Sequence, residues 1–309
     1  MFKLYYDRTR FSYIDNELRS TGLVQYSGSE KVKKTATLYG KDLNVYIDTS
    51  DGVNEDLESN EYCGRVFKII EETKGKPFLF FKSAFSPTRS LDIVRAAEEN
   101  NGTVLPFFKM PFNSNFNSLR SRRDVLIEKS RSTKKEYDIG FYAGTSKYTY
   151  PKPSQSNPLI SWPDVMFGSD GKDMGFYDNY SRPNMFNRIK DSKFSMDHKM
   201  VSYDEYIESS HLCKTIINPP GIGEYTSRML DHCFLGNCIV IRKTTYDNGY
   251  SWKDYIPEVD FETDGWEDEY QTIIDNRLEW GDKAKDYFDL YWTPEAIVDY
   301  FVEKVEEFL

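Results

Sequence analysis

The sequence predicts an α/β protein made of two domains of similar size. Three observations carry that reading: a length of 309 residues, a strand-helix-strand-helix-strand alternation in the first half, and a second alternation of the same kind from Tyr137 onward. At roughly 100–200 residues per domain the length allows two hydrophobic cores. Alternating strand and helix signals call for mostly parallel sheets. The boundaries fall at 1–135, a first domain with a basic linker, and 136–290, a second domain, with a helical segment at 291–309.

In the first half, Leu43 to Ile47, Phe78 to Phe81 and Thr103 to Leu105 are short β-rich runs. Between them, Tyr62 to Thr73 places Val66, Ile69 and Ile70 on one helical face, and Ser90 to Asn100 does the same with Leu91, Val94 and Ala97. The second helix should stop at Asn100-Asn101-Gly102, a glycine-type C-terminal signal. Residues 110–135 hold Arg120, Arg122, Arg123, Lys129, Arg131, Lys134 and Lys135 and read as a linker with some helix.

The second half opens with a strand from Tyr137 to Ala143 that ends in Gly144. A long polar, Pro- and Gly-containing stretch from Thr145 to Arg182 follows, of the length and aperiodicity expected for a functional loop. Met185 to Phe194 and Tyr203 to Ser209 read as helices, Cys213 to Ile217 as a strand, then a helix through Leu235, a turn at Gly236-Asn237 and a buried strand from Cys238 to Ile241. In the closing helix Thr293 caps, Pro294 takes the first helical position, and Ile297, Phe301, Val305 and Phe308 form the apolar stripe.

The chain carries 40 Lys plus Arg against 50 Asp plus Glu, a net of −10. Residues 1–135 contribute +5 and the remainder −15, an asymmetry that points to different ligands for the two halves. Mean hydropathy of −0.66 leaves no window of about 20 apolar residues, so no membrane insertion is expected. The N-terminal residues lack the pattern of a signal peptide, and four cysteines without a CxxC pair do not make a disulfide scaffold. The expectation is a cytoplasmic protein. Aromatics reach 16%, a value that base-stacking or sugar-stacking surfaces would give, but with 7 alanines it also fits an AT-rich composition bias.

The stretch most informative about chemistry runs from Ile216 to Ile241. A strand, a tight loop with Gly221 and Gly223, and a helix opening with Tyr225-Thr226-Ser227-Arg228 is how α/β proteins seat a phosphate. The glycines let the backbone approach, the helix start supplies oriented N–H groups, and Ser227 and Arg228 add a hydroxyl and a guanidinium. Neither G-x-G-x-x-G nor G-K-[ST] occurs there, which weakens nicotinamide, kinase and ATPase readings. An ordinary Gly-containing strand-to-helix turn has the same spacing.

The segment Asn218-Pro-Pro-Gly-Ile-Gly-Glu-Tyr-Thr-Ser-Arg228-Met-Leu-Asp231-His-Cys-Phe-Leu-Gly236-Asn-Cys-Ile-Val240-Ile resembles the donor site of exostosin-like glycosyltransferases of the GT-B fold. Tyr137 to Gly144 looks like that family's Phe-x-Gly strand, and Ser202-Tyr203-Asp204-Glu205-Tyr206 like its Tyr-containing helix. The likeness covers 137 to about 260 well and the first half in architecture alone. Departures are Asn237, which intervenes after Gly236, Val240 in place of a proline, and Asp231 in place of Glu.

The resemblance implies two Rossmann-like domains facing each other across a cleft, with 291–309 returning to the first. It implies a nucleoside diphosphate sugar as donor, a UDP-sugar first among them. Ser227 and Arg228 would hold its diphosphate, and Asp231 or Glu224 the ribose or sugar hydroxyls. Gly144 would border the cleft, and Thr226, Gly221 and Gly223 would belong to the phosphate loop. Arg182 and Arg188 are candidates for a second cationic contact, although each alone is more often a solvated surface arginine. Fixed guanidiniums and helix amides stabilise a leaving diphosphate without a metal, so none is required.

An inverting transfer needs a base to deprotonate the acceptor hydroxyl. Asp48 and Asp51 follow a strand in Ile47-Asp-Thr-Ser-Asp51-Gly, and an Asx-stabilised turn accounts for them equally; Asp7 and Asp15 are weaker choices. Competing readings are a GT-A-type metal motif at Asp48 to Asp51 and a zinc set from Cys213, His232, Cys233 and Cys238, with buried thiols the simpler account. The basic first half suits an anionic acceptor, a glycan or hydroxymethylated bases of phage DNA, and the absent targeting segment fits a phage, viral or microbial enzyme. A non-catalytic nucleotide-sugar or glycan-binding module and a phosphorylase-like GT-B enzyme remain as alternatives. Retaining or inverting outcome is left open.

Overall fold

The computed structural model describes residues 35–38, 41–48, 70–71, 73–82, 91–106, 119–143, 181–219, 227–243 and 252–308. It is a mixed α/β structure with two separate, mainly parallel sheets. The chain divides into two compact units: residues 1–112, 245–250 and 291–309 form the first, and 113–244 with 251–290 the second. The segment 113–135 thus belongs with the second unit and not with the first.

In the first unit the strand order is β1 (Thr35–Leu38), β2 (Lys41–Asp48), β3 (Phe78–Lys82), β4 (Gly102–Pro106), with β1 antiparallel and the others parallel. Helix α1 (Leu91–Glu98) makes the crossover from β3 to β4. Successive side chains of a strand face opposite sides, and β3 shows this directly. Phe78 and Phe80 pack with Ala97 of α1 and Val104 of β4. Phe81 points the other way, against Tyr300 and Phe301 at ring distances of 6.5 and 4.9 Å.

The stop after α1 differs from the sequence expectation in its mechanism. The residue with positive φ is Asn101, at 61°. Asn is one of the residue types that adopts this conformation at low cost, and its side chain here donates to the distant Gly75 carbonyl at 3.2 Å. Gly102 is the first residue of β4, opposite Phe78. A β-carbon there would lie 2.0 Å from the Phe78 ring, so glycine is required by space.

The second unit has a five-stranded, all-parallel sheet built from β5 (Tyr137–Gly140), β6 (Met196–Asp197), β7 (Cys213–Asn218), β8 (Ile239–Arg242) and β9 (Glu258–Val259). The order is β6-β5-β7-β8-β9. This is the doubly wound 2-1-3-4-5 arrangement, in which the winding direction reverses between the first and third strands, here β5 and β7. Helices α3 (Ser181–Lys190), α4 (Tyr203–Ser210) and α5 (Ser227–Phe234) lie between successive strands. Right-handed crossovers put α3 on one face and α4 and α5 on the other. The core on the α3 face joins Ile139, Phe141, Ile217, Val240 and Val259 of the sheet to Met185 and Ile189 of α3 and to Trp266 and Tyr270.

Three further helices belong to the second unit: α2 (Arg123–Ser132), α6 (Trp266–Asp275) and α7 (Arg277–Tyr291). A fourth, α8 (Pro294–Phe308), starts with a Thr293 hydroxyl accepting from the Ala296 amide at 3.1 Å. Ile297, Phe301 and Val305 of its stripe are buried and Phe308 is half-buried. Tyr300 donates to the Pro106 carbonyl at 2.8 Å, which ties α8 to β4 within the first unit. β6 and β9, two residues each, and β1 have too little pattern to be read from sequence. Residues 191–194, expected at the end of a helix, form the turn leading into β6.

Gly102→Ala should destabilise the first unit by about 1–3 kcal/mol, because the added methyl must displace a fully buried Phe78. The denaturant midpoint of that unit's transition measures it; an unchanged midpoint would show that the ring moves freely.

Candidate functional site

In doubly wound sheets ligands bind outside the carboxyl ends of the strands, at the point where the winding reverses. Here those ends are Gly140 of β5, leading to Phe141, Tyr142 and Ala143, and Asn218 of β7, leading to Pro219. Helix α5 begins after the β7 loop, so the amino end of α5 sits at this edge and offers oriented N–H groups.

Arg228, the second residue of α5, is half-buried. Asp231 lies one turn further and is only 1% exposed. Burial pushes its carboxyl up to about 7, while the Tyr203 hydroxyl and the Arg228 charge pull it back down. One carboxyl oxygen, Oδ1, has no hydrogen-bond partner among the described residues. The carboxyl expected to meet ribose or sugar hydroxyls is therefore interior, with Tyr203 and Arg228 as its neighbours.

Beneath Asp231 runs a buried polar chain that sequence reasoning missed. Ser130 of α2 donates to Asn237 Oδ1 at 2.6 Å, and Asn237 Nδ2 meets His232 Nδ1 at 3.0 Å. Because the amide oxygen is taken by Ser130, the amide nitrogen donates to Nδ1, and a neutral His232 then donates from Nε2 to Tyr206 Oη at 2.6 Å. Burial, with the Arg228 charge, pushes the imidazole down to about 3, so it stays neutral. Asn237 can occupy this place because α5 ends in a Schellman turn. Gly236 takes φ of 64°, its amide bonds the Cys233 carbonyl at 3.1 Å, and the Asn237 amide bonds the His232 carbonyl at 3.0 Å. Asn237, one of the departures from the exostosin-like pattern, is thus the link between α2 and α5.

Both His232 nitrogens are engaged, which leaves neither for a metal. Cys213, Cys233 and Cys238 are free and buried, and burial raises all three thiols, Cys213 to about 11.

At the ends of β5 and β6 a second group forms. Tyr142 donates to Asp197 Oδ2 at 2.8 Å, and Lys199 pairs with the same oxygen at 3.2 Å. His198 packs on Phe186 at 4.5 Å and lies 3.2 Å from the Ala143 carbonyl through Nε2. The sequence signal for these residues was a two-residue strand, too short to show a period.

The remaining expected residues fall as follows. Ser227 is the first residue of α5 and Arg182 the second of α3. Arg188 lies six residues beyond Arg182, roughly 9 Å along the axis. It is exposed in the last turn of α3, where it meets the Thr263 carbonyl at 3.4 Å. Asp48 closes β2 opposite Lys82. Asp7, Asp15, Asp51, Gly144, Gly221, Gly223, Glu224 and Thr226 lie outside the described residues.

The basic segment is clasped within its own unit. Arg122 pairs with Asp204 at 3.7 Å, Lys129 with Glu208 and Arg131 with Asp282. Arg123 donates through Nε to the Phe234 carbonyl at 2.8 Å, pairs with Asp289 at 2.6 Å and stacks on the Phe234 ring at 4.3 Å. Divided where the contacts divide, the first unit carries 17 Lys plus Arg and 22 Asp plus Glu, and the second 23 and 28, so each is −5. The +5 lies wholly in 113–135.

No family model matches the chain, and no curated protein matches it. Among the described residues no helix is long and apolar enough to cross a membrane.

Asp231→Asn isolates one titration. A raised carboxyl pKa favours the folded state fully below about 3.8, and that contribution is lost as pH rises through about 7. The amide variant should therefore gain stability relative to the parent between pH 4 and pH 8, by more than about 1 kcal/mol. Parallel denaturation curves at the two pH values check this, and a pH-independent difference would contradict it.

Proposed function

We propose that the second unit binds the diphosphate of a nucleotide sugar at the β5/β7 edge and that the protein is a metal-independent glycosyltransferase of the GT-B kind. The observation that carries the reading is the position of Arg228. It sits in the first turn of the helix that follows the third strand of a doubly wound sheet, at the reversal of winding. Helix amides and a guanidinium there oppose the charge that develops on a leaving diphosphate. The resemblance of 218–241 to exostosin-like donor sites supplies the sugar-nucleotide part.

Asp231 serves this site as the partner of Arg228, with Tyr203 beside both. Ser227 and the amides before it would take the remaining phosphate oxygens. The base that deprotonates the acceptor hydroxyl is assigned to Asp48, the last residue of a parallel strand of the first unit. With −5 on each unit, net charge does not select an anionic acceptor, and the acceptor class rests on the hydroxyl chemistry alone.

UDP, or another nucleoside diphosphate, should raise the melting temperature of the parent protein and not that of Arg228→Ala. Asp48→Asn should keep the nucleotide-induced shift while losing sugar transfer by at least about 100-fold, the lower end of general-base contributions. Absence of any nucleotide shift would overturn the donor site, whereas full transfer by Asp48→Asn would overturn only the base.

A further inference from the structure

At the opposite, amino end of the second sheet lies a cavity of about 290 Å³. It opens where β7 begins at Cys213-Lys214 and where the chain enters β8 at Asn237-Cys238, beside the last residues of α2 and the first of α7. Among the described residues its lining contains five cationic side chains, Arg131, Lys134, Lys135, Lys214 and Arg277, and no aspartate or glutamate. Two of the five have carboxylate partners outside the lining: Arg131 with Asp282, and Lys214 with Asp138 at 2.8 Å. Lys135 donates to the Ser130 and His211 carbonyls at 2.7 and 2.9 Å, ties that neutralise only part of a charge. Arg277 has a buried Nε with no hydrogen-bond partner among the described residues. About three positive charges therefore converge on a small space without an ion-pair partner among the described residues.

Burial lowers the Lys135 pKa, and the Arg277 charge lowers it further. Helix capping accounts for Lys135 but leaves Lys134 and Arg277 unexplained. Arg131 lies in the last turn of α2, Lys134 and Lys135 follow just beyond its end, and Lys214 of β7 and Arg277 of α7 line the same cavity. The volume stands at the lower limit of ordinary ligand pockets, which suits a compact ligand.

We infer that this cavity binds a small multivalent phosphate, inorganic phosphate or pyrophosphate being the simplest forms, as a second anion site at the far end of the sheet from Arg228. Guanidinium and ammonium donors match phosphate oxygens, Arg277 through its fork and the lysines as point charges. The occupant would bridge α2, β7 and α7 and so stabilise the fold of this unit.

The test uses the full chain with pyrophosphate and with inorganic phosphate, read by calorimetric titration and thermal shift, with sodium chloride at matched ionic strength as the control. Both anions should stabilise the protein beyond chloride. Arg277→Gln should weaken pyrophosphate at least tenfold, and Arg228→Ala should leave this site's affinity unchanged. Should Arg277→Gln not fold, Lys134→Gln, with its exposed side chain, should weaken binding about threefold. Stabilisation no greater than that by chloride, unchanged affinity in the folded variants, or loss of all pyrophosphate binding in Arg228→Ala would overturn the proposal. The last result would place the anion at the α5 edge, and nucleotide binding retained in Arg277→Gln separates the two sites.

Discussion

The hydrogen bond from Ser130 to Asn237 fastens the helix that carries Arg228 to the segment that precedes the sheet. Through it the amide of Asn237 is oriented, His232 is fixed in one tautomer, and Tyr206 is held against α5. A buried polar chain of this kind is costly when any member lacks a partner, so its completeness favours one position of α5 over slipped alternatives. Arg123 adds to the same joint by bonding the carbonyl of Phe234 where α5 ends. The position of α5, which carries Arg228 in its first turn, is thus fixed from the far end of the helix.

That arrangement changes the meaning of the basic stretch at 113–135. As linear sequence it gives the first half a net positive charge and suggests a surface for an anionic macromolecule. In the fold its side chains meet Asp204, Glu208, Asp282 and Asp289 from helices α4 and α7. Exposed pairs such as Arg122 and Asp204 add little stability individually. Arg123, partly shielded and stacked on two rings, contributes more through packing and geometry. Charge that looked like a docking surface is largely used to hold a helix, and the part left over surrounds the small cavity near Arg277.

Much of the scaffold was legible. The short β-rich runs of β2, β3, β7 and β8 announced strands, and the Thr293-Pro294 start and the 297-301-305 stripe announced α8, because each signal is local. The stop after α1 was placed correctly, but for the wrong residue: Asn101 bears the positive φ, and Gly102 is needed to clear Phe78. That distinction depends on a strand 24 residues away and has no local trace. The same limit hid the site's interior. Ser130, Asn237 and Tyr206 are separated by up to 107 residues, and nothing in the sequence links a linker serine to a turn asparagine. Asp231 was recognised as chemically important, yet its burial follows from α4 lying over α5, a matter of tertiary packing.

The central claim is that a nucleoside diphosphate is held at the amino end of α5. Amide hydrogen exchange along 213–243, compared with UDP, with uridine and without ligand, tests it most directly. Protection by UDP concentrated between Asn218 and Asp231, and absent with uridine, is the predicted result. Protection that is equal with uridine, or that falls outside this segment, would contradict it.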